Sequence, residues 1–292
     1  MERYVIHVTK KCNMDCFYCY EEDKSSGDRS WEDTKNLIDD ILKYNNEFEV
    51  EFLGGEPMMN FPLIKRCINY LKDKGNVKKY IITTNGTIIN EEIVKFLMEN
   101  SNVCLGVSLD GNRFMNSMRV FKDVDGNKIN SYEKVIENLE NLKQNNLIDR
   151  VFIHMVIHPY NVGYLSDAVD HFYNKGYKNI DIGIVEKTLD ITEEFERAFI
   201  REHDILSNRI RVGMYPELIV TTLDYKPDIS SERTYIKNKD GITVAESYGR
   251  VKDFTDNDNN EYEILKNDSK INRIKQLKLA VYNNHKNVIQ SR

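Results

Sequence analysis

Cys12-Asn13-Met14-Asp15-Cys16-Phe17-Tyr18-Cys19 puts three of the chain's five cysteines within eight residues, spaced C-x3-C-x2-C. A short apolar run that reads as a strand precedes them. Three thiolates on one loop can hold three irons of a 4Fe–4S cube, leaving the fourth iron open to a substrate or cofactor. A zinc site completed by a distant residue competes with this reading. Structural zinc favours four N or S ligands in paired C-x2-C knuckles, and neither a second knuckle nor a nearby histidine follows. Three unrelated core cysteines would rarely cluster this tightly, and an odd trio makes no disulfide framework.

Outward from this loop the chain alternates strands and helices. Residues 3–9 read as a strand, and Ser30 can cap a helix over 31–45. Glu47–Leu53 alternates Phe48, Val50 and Phe52 with Glu47, Glu49 and Glu51, the period of a half-buried strand. Asn60 with Pro62 opens a helix bearing Leu63, Ile64, Cys67, Ile68 and Leu71 on one stripe. Strands follow at 80–84 and 103–109, with a helix from Asn90 to about 99 between them. Residues 111–130 read as irregular, and Asn130 with Glu133 forms a capping box for a helix over 131–145. Then come a strand at 151–157, a helix over 162–175 stopped by Gly176, a strand at 180–185 and a helix over 191–209. Six strand–helix repeats predict a parallel sheet, either an open doubly wound sheet or a barrel. Short strands are expected at 217–223, 234–237, 242–246 and 261–265, joined by turns at 238–241 and 256–260, before a last helix over 270–283.

Polar residues recur where such sheets place ligands, at the C-terminal ends of the strands. Gly54-Gly55-Glu56-Pro57 follows the second strand, Thr83-Thr84-Asn85-Gly86 the third, and Ser108-Leu109-Asp110-Gly111 the fourth. Period-two alternation turns one set of strand residues inward: His7, Glu49, Glu51, Cys104, His154 and Asp181. As a group they suggest a wet chamber. Singly, each also suits a structural hydrogen-bonded pair at the barrel bottom. Cys67 reads as core, His171, His203 and His285 as ordinary helix residues, and His158, before Pro159, as a residue able to approach a cofactor.

The cysteine spacing, the aromatic Tyr18 before the last cysteine, and the GGEP, TTNG and SLDG runs together resemble the radical S-adenosylmethionine (SAM) superfamily. They are similar to its SPASM/Twitch-type peptide maturases and sulfatase-maturing enzymes. The resemblance implies an α/β fold, a partial (β/α)6 barrel over residues 1–210, with a small C-terminal α+β extension over 211–292. It implies one 4Fe–4S cluster on Cys12, Cys16 and Cys19, and SAM bound by Tyr18, Gly54, Gly55, Glu56, Asn85, Ser108 and Arg119. Arg119 lies eleven residues after Ser108, where relatives hold the SAM ribose and carboxylate. No cysteine follows Cys104, so auxiliary clusters on cysteine thiolates are not expected, and the extension resembles a SPASM region without metals.

The expected activity is reductive cleavage of SAM and hydrogen abstraction from a ribosomally made peptide, giving a thioether or carbon–carbon crosslink. Glu51, Cys104, His154 and Asp181 are the candidate catalytic residues. The expected partners are the peptide, with a leader segment, and a flavodoxin or ferredoxin as reductant. Three alternatives stay open: a small-molecule substrate, a peptide epimerase with Cys104 as hydrogen donor, and a non-catalytic SAM- or cluster-binding regulator. A net charge of −6 and a pI near 5.7 argue against a nucleic-acid partner. No apolar run nears the ~18 residues of a membrane span. The N-terminus shows no signal peptide, so a cytoplasmic enzyme with reduced thiols is expected.

Overall fold

The computed structural model describes residues 2–21, 24, 27–44, 47–74, 76–122, 125–186, 188–227, 233–237, 243–248, 262–264 and 269–290. Six strand–helix units run in order: β1 (Glu2–Thr9) with α1 (Trp31–Tyr44), β2 (Glu47–Gly54) with α2 (Phe61–Lys72), and β3 (Asn76–Thr84) with α3 (Glu91–Glu99). Then come β4 (Val103–Ser108), a small hairpin of β5 (Val120–Lys122) and β6 (Lys128–Asn130), and α4 (Tyr132–Gln144). β7 (Val151–Ile157) with α5 (Leu165–Asn174) and β8 (Asn179–Ile184) with α6 (Glu193–Arg211) complete the set. The chain continues through β9 (Ile219–Val220), α7 (Thr221–Asp224), β10 (Arg233–Lys237), β11 (Thr243–Tyr248), β12 (Tyr262–Ile264) and α8 (Ser269–Gln290).

One ten-stranded sheet carries the fold, in the order β12-β10-β11-β1-β2-β3-β4-β7-β8-β9. From β1 to β9 every pairing is parallel. β11, β10 and β12 extend the β1 edge antiparallel. This is the partial (β/α)6 barrel, with later strands added to both of its edges.

The pleat sorts the strand residues into two faces. Tyr4, Ile6 and Val8, then Phe48, Val50 and Phe52, then Val103, Leu105 and Val107 pack outward against the helices, all at most 1% exposed. Each such side chain contributes about 1.5–3 kcal/mol by leaving water. Their neighbours His7, Glu49, Glu51, Cys104 and Ser108 point the other way and line a cavity of about 1820 Å3. His154 and Asp181 join them from β7 and β8.

Local signals explain some helix starts. Ser30 Oγ accepts the Asp33 amide at 3.1 Å, and Asn90 Oδ1 accepts that of Ile93 at 3.0 Å. Two expected caps are spent elsewhere. Asn60 donates to the Val8 carbonyl at 2.9 Å, tying α2 to β1 instead of capping its own helix. The Asn130–Glu133 box does not form: Ser131 takes the cap position, Glu133 pairs with Arg113, and Asn130 Oδ1 accepts the Tyr132 amide at 3.0 Å.

Other departures have similar local causes. The stretch read as irregular contains the β5–β6 hairpin, whose strands are three residues each, too short to show a period. The strand expected at 217–223 stops after two residues, because Asp224 Oδ2 accepts the Val220 amide at 2.7 Å and turns the chain into α7. α8 outruns its expected end because the buried stripe Ile274, Leu277 and Val281 continues to His285, whose Nδ1 meets Ser207 Oγ of α6 at 3.0 Å. The turns expected at 238–241 and 256–260 lie outside the described residues. No helix among the described residues is long and apolar enough to cross a membrane.

Candidate cluster and cofactor site

The cysteine loop leaves β1 and is held from three sides. Toward the hairpin, the Asp15 amide donates to the Val120 carbonyl at 2.7 Å and the Phe17 amide to that of Met118 at 3.1 Å. Toward β3, Asn85 Nδ2 donates to Asn13 Oδ1 at 2.8 Å, and Asn13 Nδ2 to Thr87 Oγ1 at 2.9 Å. The third side is the Gly-Gly-Glu segment after β2. Its Gly55 and Glu56 amides donate to the carbonyls of Thr9 and Lys11 at 2.9 and 2.8 Å.

That brace gives the glycine pair a reason beyond ligand approach. A Cβ on Gly54 would meet the Thr9 carbonyl oxygen at 2.2 Å, and one on Gly55 would meet those of Lys10 and Lys11 at 2.3 and 2.4 Å. The two segments can lie this close only without side chains. Gly54 and Gly55 face the cavity.

Glu56, expected to contact the cofactor, is fully buried and is not among the residues lining the cavity. Its carboxylate accepts from the Met58 amide at 3.0 Å, the Thr84 hydroxyl at 2.6 Å and the Asn85 amide at 2.7 Å. It therefore locks the ends of β2 and β3 together. Burial pushes this carboxyl up to about 7, against the pull of its three donors.

Cys12, Cys16 and Cys19 are half-buried and all line the cavity. Each of the three sulfurs is near enough to another to act on its charge. Yet among the described residues no three His, Cys, Asp or Glu side chains gather as ligands of a single metal ion. Burial raises the Cys12 thiol and pushes that of Cys16 up to about 11, with the Arg119 charge pulling Cys16 back. Iron binding would displace these protons. Three soft thiols beside a glycine cradle fit an iron–sulfur cluster with an adjoining cofactor.

Behind Cys16 lies a buried ionic knot that sequence reasoning did not single out. Asp110 is its centre. Tyr18 Oη donates to Asp110 Oδ2 at 2.5 Å, Arg119 Nη2 to Oδ1 at 2.9 Å, and the Val156 amide to Oδ1 at 3.0 Å. Tyr18 and Arg119, both expected to touch the cofactor, spend these bonds on Asp110, although both also line the cavity. Burial opposes the Arg119 charge, but Asp110, Tyr18 and Cys16 outweigh it and hold the guanidinium protonated. His158, expected near the cofactor, lies behind Tyr18 with ring centroids 5.2 Å apart and is absent from the cavity lining. The signal for Asp110 was its place in the Ser108–Gly111 run. Ser108 and Asn85 line the cavity.

The rest of the chamber wall is a polar network. Arg3 Nη2 lies 2.9 Å from Glu49 Oε2, and its Nη1 3.4 Å from Glu51 Oε2. Thr83 Oγ1 donates to Glu51 Oε1 at 2.6 Å. His154 Nδ1 lies 2.7 Å from Asp181 Oδ2, and Thr221 Oγ1 donates to Asp181 Oδ1 at 2.9 Å. Burial works to raise the Asp181 carboxyl, but His154, Lys278 and Thr221 hold it below the usual carboxylate range. An imidazole oriented by a carboxylate can take or give a proton. Burial raises the Cys104 thiol, which keeps it protonated.

The comparisons with known proteins agree with this geometry. An uncharacterized protein of Methanocaldococcus jannaschii is 30% identical over 250 residues, covering 84% of this chain and 82% of its own length. Fe-coproporphyrin III synthase of Methanosarcina barkeri is 32% identical over 161 residues, covering 54% of this chain and 37% of that protein. A cysteine-type anaerobic sulfatase-maturating enzyme of Clostridium novyi is 34% identical over 154 residues, covering 47% and 39%. Among solved structures, anSMEcpe with bound AdoMet and the Kp18Cys peptide superposes with a TM-score of 0.63 at 20% identity, over 74% of this chain and 63% of that one. The chain thus spans under two thirds of these last three proteins. The radical SAM superfamily profile matches residues 6–172, from β1 through α5 and over the whole cysteine loop, and the chain belongs to that superfamily.

Proposed function

We propose that this radical SAM enzyme modifies a ribosomally made peptide, forming a thioether or carbon–carbon crosslink. The observation that carries the reading is the size of the chamber beside the cysteine loop. At about 1820 Å3 it exceeds the ~300–1,000 Å3 typical of small-molecule pockets, leaving room for a peptide segment beside the cofactor. The peptide bound in anSMEcpe, a protein of the same fold, supports it.

The family's cofactors are one 4Fe–4S cluster and SAM. Bound together they supply a carbon-centred radical able to abstract hydrogen from an unactivated carbon. In our reading Cys12, Cys16 and Cys19 hold the cluster. The Gly54-Gly55 backbone, Asn85 and Ser108 face the nucleotide, and Arg119 offers its guanidinium to the carboxylate while Asp110 fixes its direction. Glu51 and the His154–Asp181 pair position the substrate and handle its proton. Cys104 presents a protonated thiol to the same space. The electron comes from a flavodoxin or ferredoxin.

A small-molecule substrate is the second reading, favoured by the likeness to Fe-coproporphyrin III synthase. One experiment separates the two. The reconstituted, reduced protein is given SAM with a peptide encoded beside its gene, and 5′-deoxyadenosine and peptide mass are followed. Release of 5′-deoxyadenosine with loss of two hydrogens from the peptide is the expected result, one hydrogen taken up in 5′-deoxyadenosine and the other leaving as a proton whose electron returns to the flavodoxin or ferredoxin. Peptide-independent release that a porphyrin-type or nucleotide substrate stimulates would move the assignment to the second reading.

A further inference from the structure

We propose that Phe152 is a specificity-determining residue of the chamber, its ring the platform on which an apolar side chain of the substrate peptide packs. The inference rests on the peptide reading and deepens it: the segment that enters presents an aliphatic or aromatic residue at this point.

A glycine on β4 reveals the platform. The pleat turns Cys104, Gly106 and Ser108 to the same face. Cys104 and Ser108 line the chamber, but Gly106 between them is buried and does not. What covers it is Phe152, its register partner on β7. A Cβ on Gly106 would meet Phe152 Cζ at 2.5 Å and Cε2 at 2.8 Å, and Thr83 Oγ1 of β3 at 3.1 Å. The ring therefore crosses from β7 onto β4, over the one position of this face that carries no side chain. Gly106 sits inside β4 and is not one of the positive-φ glycines, so the ring, and not the backbone, is what requires it.

The ring is not sealed in. Phe152 is half-buried and lines the chamber, whereas Val151, Ile153, Met155 and Ile157 on the other face of β7 are at most 6% exposed. Polar groups beside it are already bonded: Thr83 to Glu51, and His154 to Asp181. An apolar ring left open in such a wall is stabilised when an apolar group covers it. A charged side chain there would lose water and find these carboxylates engaged. His154 is the next inward residue of β7 on the cysteine-loop side, in register with Ser108 and Asp181. A side chain resting on Phe152 therefore lies beside the His154–Asp181 pair.

The test uses the reconstituted full-length protein and the peptide encoded beside its gene. Mass spectrometry of the wild-type product locates the modified residues, and a second peptide carries Asn in place of the apolar one among them. The wild-type enzyme should favour the native peptide, and Phe152→Ala should lower the ratio of the two kcat/KM values about tenfold or more, chiefly through KM for the native peptide. Phe152→Leu should lower it less, and serves if the alanine variant does not fold. Gly106→Ala, which pushes the ring off its notch, should change the same ratio without touching the ring's chemistry. A ratio equal to wild type in the Phe152 variants, with both peptides slowed alike, would show a packing role only and overturn the proposal. So would modified residues that are all charged or polar, or a preference for Lys over Leu at the position tested, which would make the ring a cation site. Failure of the wild-type enzyme to modify the peptide at all would instead defeat the peptide reading, and this proposal with it.

Discussion

Arg119 and Asp110 form a buried ion pair directly behind the cysteine loop, with Nη2 2.9 Å from Oδ1 and Nε 2.9 Å from Oδ2. Asp110 also receives the Tyr18 hydroxyl from the loop and the Val156 amide from β7. One carboxylate thus ties together the cluster loop, the segment after β4 and the barrel wall.

Removing that charge strands the guanidinium. Asp110→Asn should destabilise the protein by about 3–5 kcal/mol, because an unpaired buried cation costs more than the pair contributes. Asp110→Asn with Arg119→Met should recover part of that loss. Chemical denaturation of the three variants checks both statements. Iron content after reconstitution should fall in Asp110→Asn, since Tyr18 loses its anchor.

Glu56 makes stability depend on pH. Its folded carboxyl titrates near 7 against an ordinary value of 4.5, so the folded state binds the extra proton between these values. The associated stability is complete below pH 4.5 and is lost as pH rises through 7, an effect of order 3 kcal/mol. Glu56→Gln should flatten this slope between pH 5 and 8. It should also cost about 1–3 kcal/mol at low pH, because an amide NH2 would face one of the three donors. Denaturation midpoints measured across that range separate the two effects.

Gly55→Ala tests the brace. The new methyl would sit 2.3 Å from the Lys10 carbonyl oxygen, a backbone atom that cannot rotate aside. Overpacking of this kind costs about 1–3 kcal/mol, and the loop must shift to relieve it. Iron retained after reconstitution should drop well below wild type. Gly27→Ala, where nothing lies within 4 Å, is the matched control and should keep its iron.

What sequence alone made legible follows from how local each signal is. The cysteine loop, the Gly-Gly-Glu run and the β2 alternation are short, periodic or chemically rare, and each could be read in place. Inward polar residues on several strands followed from the pleat. Long-range choices were hidden. Asn60 looks like a cap until β1 passes beside it, and Glu133 looks like half of a capping box until Arg113 reaches it. Nothing local in sequence reveals that Arg119 and Tyr18, which line the cavity, are both also held by Asp110. β5 and β6 escaped because three-residue strands carry no period, and the cluster loop they hold is more than 100 residues away in sequence.

The His154–Asp181 pair should separate proton handling from radical formation. Thr221 fixes the carboxylate from β8's far side, and Asp181 in turn fixes the imidazole at 2.7 Å. Asp181→Asn keeps the shape but removes the charge that orients and stabilises the ring. Peptide product should fall by about 10²–10⁴-fold, the usual worth of a positioned acid–base group, while 5′-deoxyadenosine release continues. Because the Asp181 carboxyl is held below its usual range, its stabilising contribution is present above pH 3.8 and is lost as pH falls through the folded value. The stability gap between wild type and Asp181→Asn should therefore close toward strong acid. Equal loss of product and 5′-deoxyadenosine would show instead that the pair supports the fold of the chamber and takes no part in the substrate's proton transfer.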